Sequence, residues 1–153
     1  MGLDMGLSAS RYLSDYNNAD KQKKEELLEM FPELKVYLTE DENPIQEVKA
    51  EIGYWRKANQ IHNWFVNNVQ DGEDDCRSYY VSREKLQELK SLCQQVLENK
   101  SLANEFLPTQ SGFFFGSTEY EGYYFDDLEK TIRIIDNALA LPETWRFEYQ
   151  SSW

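Results

Sequence analysis

The sequence predicts an α+β fold, with about three main helices packed on a small, mostly antiparallel sheet in a single compact domain. Three observations carry this expectation. Leu86, Leu89, Cys93, Val96 and Leu97 recur at helical spacing, as do Tyr124, Leu128, Ile132, Ile135 and Leu139. Trp145, Phe147 and Tyr149 instead alternate with Arg146, Glu148 and Gln150, the period-two signature of a strand with one buried face. The 153 residues, 41% hydrophobic and 14% aromatic, can build a core without disulfides or metals, and no repeat or low-complexity linker divides them.

In chain order, Leu3, Met5 and Leu7 fall on one side of a short N-terminal strand over residues 2–7. The run Ser14 to Asp20 is turn chemistry. Asp20 is the expected N-cap of a helix from Lys21 to Met30, which Pro32 stops. Residues 34–38 suit a strand, and Thr39 to Pro44 an exposed acidic loop. Residues 45–52 read either as an extended segment or as the first turns of a helix over 53–69. In that helix Tyr54, Ala58, Ile61, Phe65 and Val69 form an apolar stripe beside a mixed stripe of Trp55, Asn59, His62 and Val66. It is either a core helix or one wall of a binding site.

A loop over residues 70–75 leads to a short aromatic strand over 78–81, and Ser82 caps the helix that runs through Glu98. Phe113, Phe114 and Phe115, bracketed by Gly112 and Gly116, suit a buried strand, and a last helix spans 123–141 before Pro142.

Charge narrows the partners. Twenty-eight acids against 16 bases leave a net charge of -12, which disfavours direct binding to nucleic acid. The surplus serves solubility, or it favours encounter with a basic protein surface. Candidate partner-binding acids are Glu40, Asp41 and Glu42, then Asp71, Glu73, Asp74 and Asp75, then Glu119, Glu121, Asp126 and Asp127. Two cysteines without a close pair signal neither a disulfide framework nor a structural zinc site, which suits a reducing cytoplasm. No secretory signal, membrane-length apolar run or myristoylation pattern is evident.

No motif fixes a reaction, so no catalytic residue, metal or cofactor is assigned. His62 with Asp74, Asp75 and Cys76 has the residue types of a metal or nucleophile site without diagnostic spacing; a hydrogen-bonded, half-buried histidine and a structural cysteine are the plainer readings. An alternative function is a site for a nucleotide-like molecule, as a sponge or a small enzyme, built from Trp55, Arg56, Lys57, Asn59, His62, Thr109, Ser111 and Ser117. Cations would take phosphate and aromatic planes would take a base. Equally, Arg56 and Lys57 could pair with nearby acids and cover the aromatics with their stems.

Several segments resemble those of a family of small, largely uncharacterised phage and prophage proteins. They are Met1 to Met5, Gly53 to Asn59 with Ile61-His62 and Trp64-Phe65, Asn68-Val69-Gln70 and Asp74-Asp75-Cys76. Pro108-Thr109 with Ser111 to Ser117, and the terminal Tyr149-Gln150-Ser151-Ser152-Trp153, belong to the same likeness. Gly6 departs from the pattern, which carries an aromatic residue there. The resemblance leaves out roughly residues 8–50, expected to be a variable and partly irregular region. It implies a phage-encoded accessory protein in the cytoplasm of an infected bacterium. Such a protein would inhibit a host defence factor, CRISPR among the candidates, by occupying the basic surface of a host protein.

Overall fold

The computed structural model describes residues 2–153; Met1, the first residue of the family-like N-terminal segment, lies outside them. The fold is α+β, as the periodicities predict. Strands β1 (Asp4–Tyr12), β2 (Glu47–Arg56), β3 (Tyr79–Val81) and β4 (Arg146–Ser152) form one sheet in the order β2-β1-β4-β3. Five α-helices accompany it: α1 (Asn18–Met30), α2 (Asn59–Asn68), α3 (Arg83–Glu98), the single-turn α4 (Ala103–Phe106) and α5 (Gly122–Leu139). The chain divides into two compact units, residues up to Ala9 with Glu51–Trp153, and Ser10–Ala50.

In the larger unit, Leu3, Met5, Leu7 and Ala9 are all buried, so β1 shows the alternation that its sequence predicts. At the far edge β3 pairs antiparallel with β4, setting Tyr79 opposite Tyr149 and Val81 opposite Phe147. Phe147, Tyr149 and Ser151 point into the core. Helix α3 begins where predicted, because the Ser82 side chain accepts from the Lys85 amide at 3.1 Å. It packs on α5, which also meets α2. Leu86, Leu89, Cys93 and Val96 face Leu128, Ile135 and Ala138 within one continuous core.

Three expectations in this unit fail for identifiable reasons. The stretch 53–69 is not one helix: residues 53–56 finish β2, and α2 starts only at Asn59. Buried Gly53 and Trp55 alternate with exposed Tyr54 and Arg56, so Tyr54 lies outside the core. A helical i, i+4 stripe and a period-two strand make the same demand of a four-residue overlap, and the β-prone Val48, Ile52 and Tyr54 side with the strand. The turn itself is made by Lys57, whose backbone is left-handed at φ 57° while its amide donates to the Leu3 carbonyl at 2.8 Å. Residues 113–115 are a turn, not a buried strand. Phe114 has φ 64°, Phe113 and Phe114 are exposed, and only Phe115 is buried. The Phe115 carbonyl is taken by Asn59 instead of a ladder partner. Lastly, Val69 is only half-buried, while Ala58, Ile61 and Phe65 are core as predicted.

The smaller unit takes in residues 10–12 of β1 and 47–50 of β2. The Leu13 amide meets the Gln46 carbonyl at 2.8 Å, extending the antiparallel pairing of these strands. The N-cap of α1 is Asn17, whose side chain accepts from the amides of Ala19 and Asp20. Asp20 is not the cap because its carboxylate is occupied by the Ser14 amide and by Arg11 at 2.8 Å. The Ser14 amide first, with Arg11 adding to it, holds that carboxyl below its usual range. After Pro32 the chain forms a 3-10 helix over Pro32–Tyr37, not the expected strand, closed by i to i+3 bonds at Leu34 and Leu38. The buried apolar side chains of this unit are Leu13 and Leu28. Lys24 is buried with them and pairs with Asp15 at 2.7 Å.

Candidate functional site

Of the residues that the sequence marks for ligand binding, Trp55, Asn59 and His62 are interior. Trp55 is buried and its indole N–H donates to Thr131 Oγ1 at 2.8 Å. Asn59 holds the 109–117 segment: its amide nitrogen donates to the Phe115 and Ser117 carbonyls, and its oxygen accepts from the Gln110 amide. His62 is buried with Nδ1 2.6 Å from the Tyr149 hydroxyl and Nε2 3.0 Å from Asp74 Oδ2. A carboxylate only accepts, so Nε2 carries the proton toward Asp74 and Nδ1 accepts from Tyr149. Burial pushes the Tyr149 phenol far above its ordinary range, which keeps it a donor. The Trp153 indole donates to the other oxygen of Asp74, and Phe115 sets its ring edge-on to both His62 and Trp153.

This network joins segments that are far apart in the sequence. Ile61-His62, Asp74-Asp75-Cys76 and Tyr149 to Trp153 are tied to one another by side-chain hydrogen bonds, including Gln150 Nε2 to the Cys76 carbonyl at 3.1 Å, and Phe115 of the 111–117 turn joins them through ring contacts. Both ring nitrogens of His62 are committed, so the arrangement positions chain segments and leaves no base for Cys76. The other cysteine, Cys93, is core, and burial pushes its thiol up to about 12. Among the described residues, no group of three or more His, Cys, Asp or Glu could hold a metal ion.

Arg56, Lys57 and Ser117 do converge. With Gln60, Gly116, Glu119, Glu121, Tyr123, Tyr124 and Asp127 they line a cavity of about 390 Å³ beside the start of α5. Gln60 anchors its floor, donating to the Tyr124 carbonyl at 3.2 Å and to Asp127 Oδ2 at 3.4 Å. Burial raises the Asp127 carboxyl to about 6, against the opposing pull of Gln60 and Lys130. Thr109 and Ser111 are not among the cavity's lining residues. Thr109 is spent on the Thr118 carbonyl and the Tyr120 hydroxyl, and Ser111 is exposed. Gln60, Tyr123 and Tyr124 are the lining residues that the sequence reading missed. Gln60 carries no motif, and it enters only because α2 turns it toward α5.

The acidic clusters differ in what they have left to offer. Asp74 is spent on His62 and Trp153, while Asp75 and Glu73 close on Arg77. Bonds from Arg77 and then Tyr79 hold the Asp75 carboxyl down to about 2. Asp71 is exposed at a left-handed turn position with φ 53°. Glu119, Glu121 and Asp127 line the cavity, and Asp126 is exposed.

In the smaller unit, Glu40, Asp41 and Glu42 are exposed and continue a longer acidic run. Residues 25–42 hold Glu25, Glu26, Glu29, Glu33, Glu40, Asp41 and Glu42 against Lys35 alone, a net charge of 1 − 7 = −6, half that of the chain. Lys35 is itself paired with Glu29 at 2.8 Å. Within this run Met30, Phe31, Val36, Tyr37 and Leu38 are all exposed, Val36 at 79% and Tyr37 at 66%. The sequence marks Glu40, Asp41 and Glu42 of these acids, but it assigns Val36, Tyr37 and Leu38 to a strand and Met30 and Phe31 to the end of a helix.

Comparison with known protein families, curated proteins and solved structures gives no match to this chain.

Proposed function

We propose that this protein works by binding another protein through residues 25–42, where an apolar centre of Met30, Phe31, Val36, Tyr37 and Leu38 lies among seven acids. That conjunction is the observation that carries the reading. Isolated exposed apolar residues are ordinary on a protein surface, but five within nine positions have no such explanation. Aromatic and methionine side chains supply the burial energy of an interface. A rim of one charge sign steers encounter and rejects partners of like charge. The complementary surface is an apolar cleft rimmed by Lys and Arg, the kind of surface that also receives nucleic acid.

The likeness of the remaining segments to phage and prophage proteins supports a specific setting. In it, the chain is phage-encoded, acts in the cytoplasm of the infected bacterium, and blocks a host defence protein, an anti-CRISPR role being one form. Residues 8–50, which the likeness leaves out, contain the proposed surface. No helix among the described residues is long and apolar enough to cross a membrane.

The test is capture of purified host nucleases and defence proteins by the immobilised chain at increasing salt. A partner with a basic surface should be retained at low salt and released as salt rises. Retention should fall at least ~100-fold with the pair Phe31→Ala and Tyr37→Ala, and with Glu40→Lys, Asp41→Lys and Glu42→Lys together. Both sets change exposed side chains, so the fold should persist. Retention of no such protein, or retention indifferent to both sets, would overturn the reading.

A further inference from the structure

The geometry points to the cavity beside the start of α5 as a binding site for a small zwitterion bearing a carboxylate and an ammonium group, the chemistry of a free amino acid or the ends of a short peptide. Three features of the site converge on this. In a chain with 28 acids and 16 bases, Arg56 and Lys57 are adjacent, yet neither makes an ion pair among the described residues. Two unpaired cations at one cavity leave a place for an anion. Glu119, Glu121 and Asp127 line the same cavity, three carboxylates that also make no ion pair among the described residues and that suit a cation. A ligand of either sign alone would satisfy one group and be repelled by the other.

The backbone supports the same site. Lys57 sits in the left-handed region, a conformation that costs a lysine about 1 kcal/mol or more and is held by surrounding structure. Gly116, at φ 90°, lets the neighbouring turn approach: a Cβ there would lie 2.9 Å from Lys57 Cβ. The turn and the strand end are thus pressed together, which brings Lys57 and Ser117 to the lining of one cavity. Tyr123, 87% exposed, adds an aromatic edge. The volume of about 390 Å³ is at the small end for ligand sites, in keeping with an amino acid or dipeptide. A nucleoside monophosphate, the ligand class suggested by cations and aromatics alone, would bring its doubly charged phosphate against three carboxylates.

The experiment is a thermal-shift and calorimetric screen of the full chain with free amino acids, dipeptides, N-acetylated amino acids, nucleoside monophosphates, inorganic phosphate and putrescine. At least one amino acid or dipeptide should stabilise the chain in proportion to its concentration, and its N-acetylated form should bind at least ~tenfold more weakly. The separate amino-acid and dipeptide arms tell the two sources apart. Arg56→Gln with Lys57→Asn removes both cations while asparagine tolerates the left-handed backbone, and should weaken binding at least ~tenfold. Asp127→Asn should weaken it without loss of fold. Binding of phosphate or nucleoside monophosphates alone, of putrescine alone, of no zwitterion at all, or equal binding by the double variant would overturn the assignment. Because residues 25–42 are untouched by these changes, partner capture through that surface stands or falls separately.

Discussion

Replacing Asp127 by Asn should stabilise the protein near neutral pH and do nothing in acid. Burial, the largest influence, lifts this carboxyl from the usual 3.8 to about 6; Gln60 and Lys130 oppose it, and Asp126 adds to it. The folded protein therefore keeps the proton over a pH range in which the unfolded chain has lost it. Stability falls as pH rises from about 4 through about 6. A gap of about two units corresponds to about 3 kcal/mol as an upper bound, and exposure of the carboxyl to the cavity screens roughly half of that. Asparagine keeps the oxygen that accepts from Gln60 and removes the charge. The variant should thus exceed the wild type by about 1 to 1.5 kcal/mol at about pH 8, or about 3–5 °C in Tm for a chain of this length. At about pH 4 the two should coincide. Denaturant or thermal melts of both proteins across that range isolate the effect, because every other carboxylate is common to them. A wild type that gains on the variant as pH rises would refute the reasoning, and would mean that the pull of Lys130 and Gln60 outweighs the burial of Asp127.

Other consequences concern the scaffold. Phe65→Ala should cost about 3–5 kcal/mol in chemical denaturation, since the ring is fully buried, stacked 3.8 Å from Tyr149 and edge-on to Trp55 and Trp64. Tyr149→Phe keeps that stack but leaves His62 Nδ1 buried without a donor, so about 1–3 kcal/mol should be lost in the same assay. Asp15→Asn strands the buried ammonium of Lys24 in the smaller unit and should cost about 3–5 kcal/mol there, read as lost hydrogen-exchange protection across α1.

The elements legible in the sequence are those whose local signals agree with their burial. Helix α3 has a capping serine, an acid in its first turn and an uninterrupted apolar stripe; β4 has strict alternation up to Gln150. The stretch 53–69 misled because two periods fit the same residues. What separates them is the left-handed turn at Lys57, and no residue type announces a lysine in that conformation. Phe113 to Phe115 misled because hydrophobicity promises burial, whereas the bracketing glycines close a turn that buries only the third ring. The site was half legible. Arg56, Lys57, Ser117, Glu119, Glu121 and Asp127 were all named, but as members of two separate proposals, one for cations and one for acids. Their meeting depends on how α2 and α5 pack, a long-range contact that spacing along the chain does not encode.

The segments richest in recognisable pattern turn out to serve architecture, and this follows from their chemistry. Histidine, tryptophan, tyrosine and asparagine in apolar surroundings must find partners, and the chain supplies each one: Asp74, Thr131, His62 and the 115–117 carbonyls. Groups so partnered have nothing left for a ligand, although Gln70 Oε1 and Ser151 Oγ stay buried without a hydrogen-bond partner. Two further regions, both reaching the surface, lack such internal settlement. One is the cavity, with a carboxyl lifted by burial, a strained lysine and two cations that decline a surplus of acids. The other is residues 25–42, where large apolar side chains stay in water within the most acidic run of the chain. Each departs from the local consistency that stabilises the rest, and such departures concentrate where a protein meets something else. Asp127→Asn makes the distinction measurable: in a purely structural role the substitution gains stability and loses nothing, whereas in a binding role it gains stability and loses the ligand.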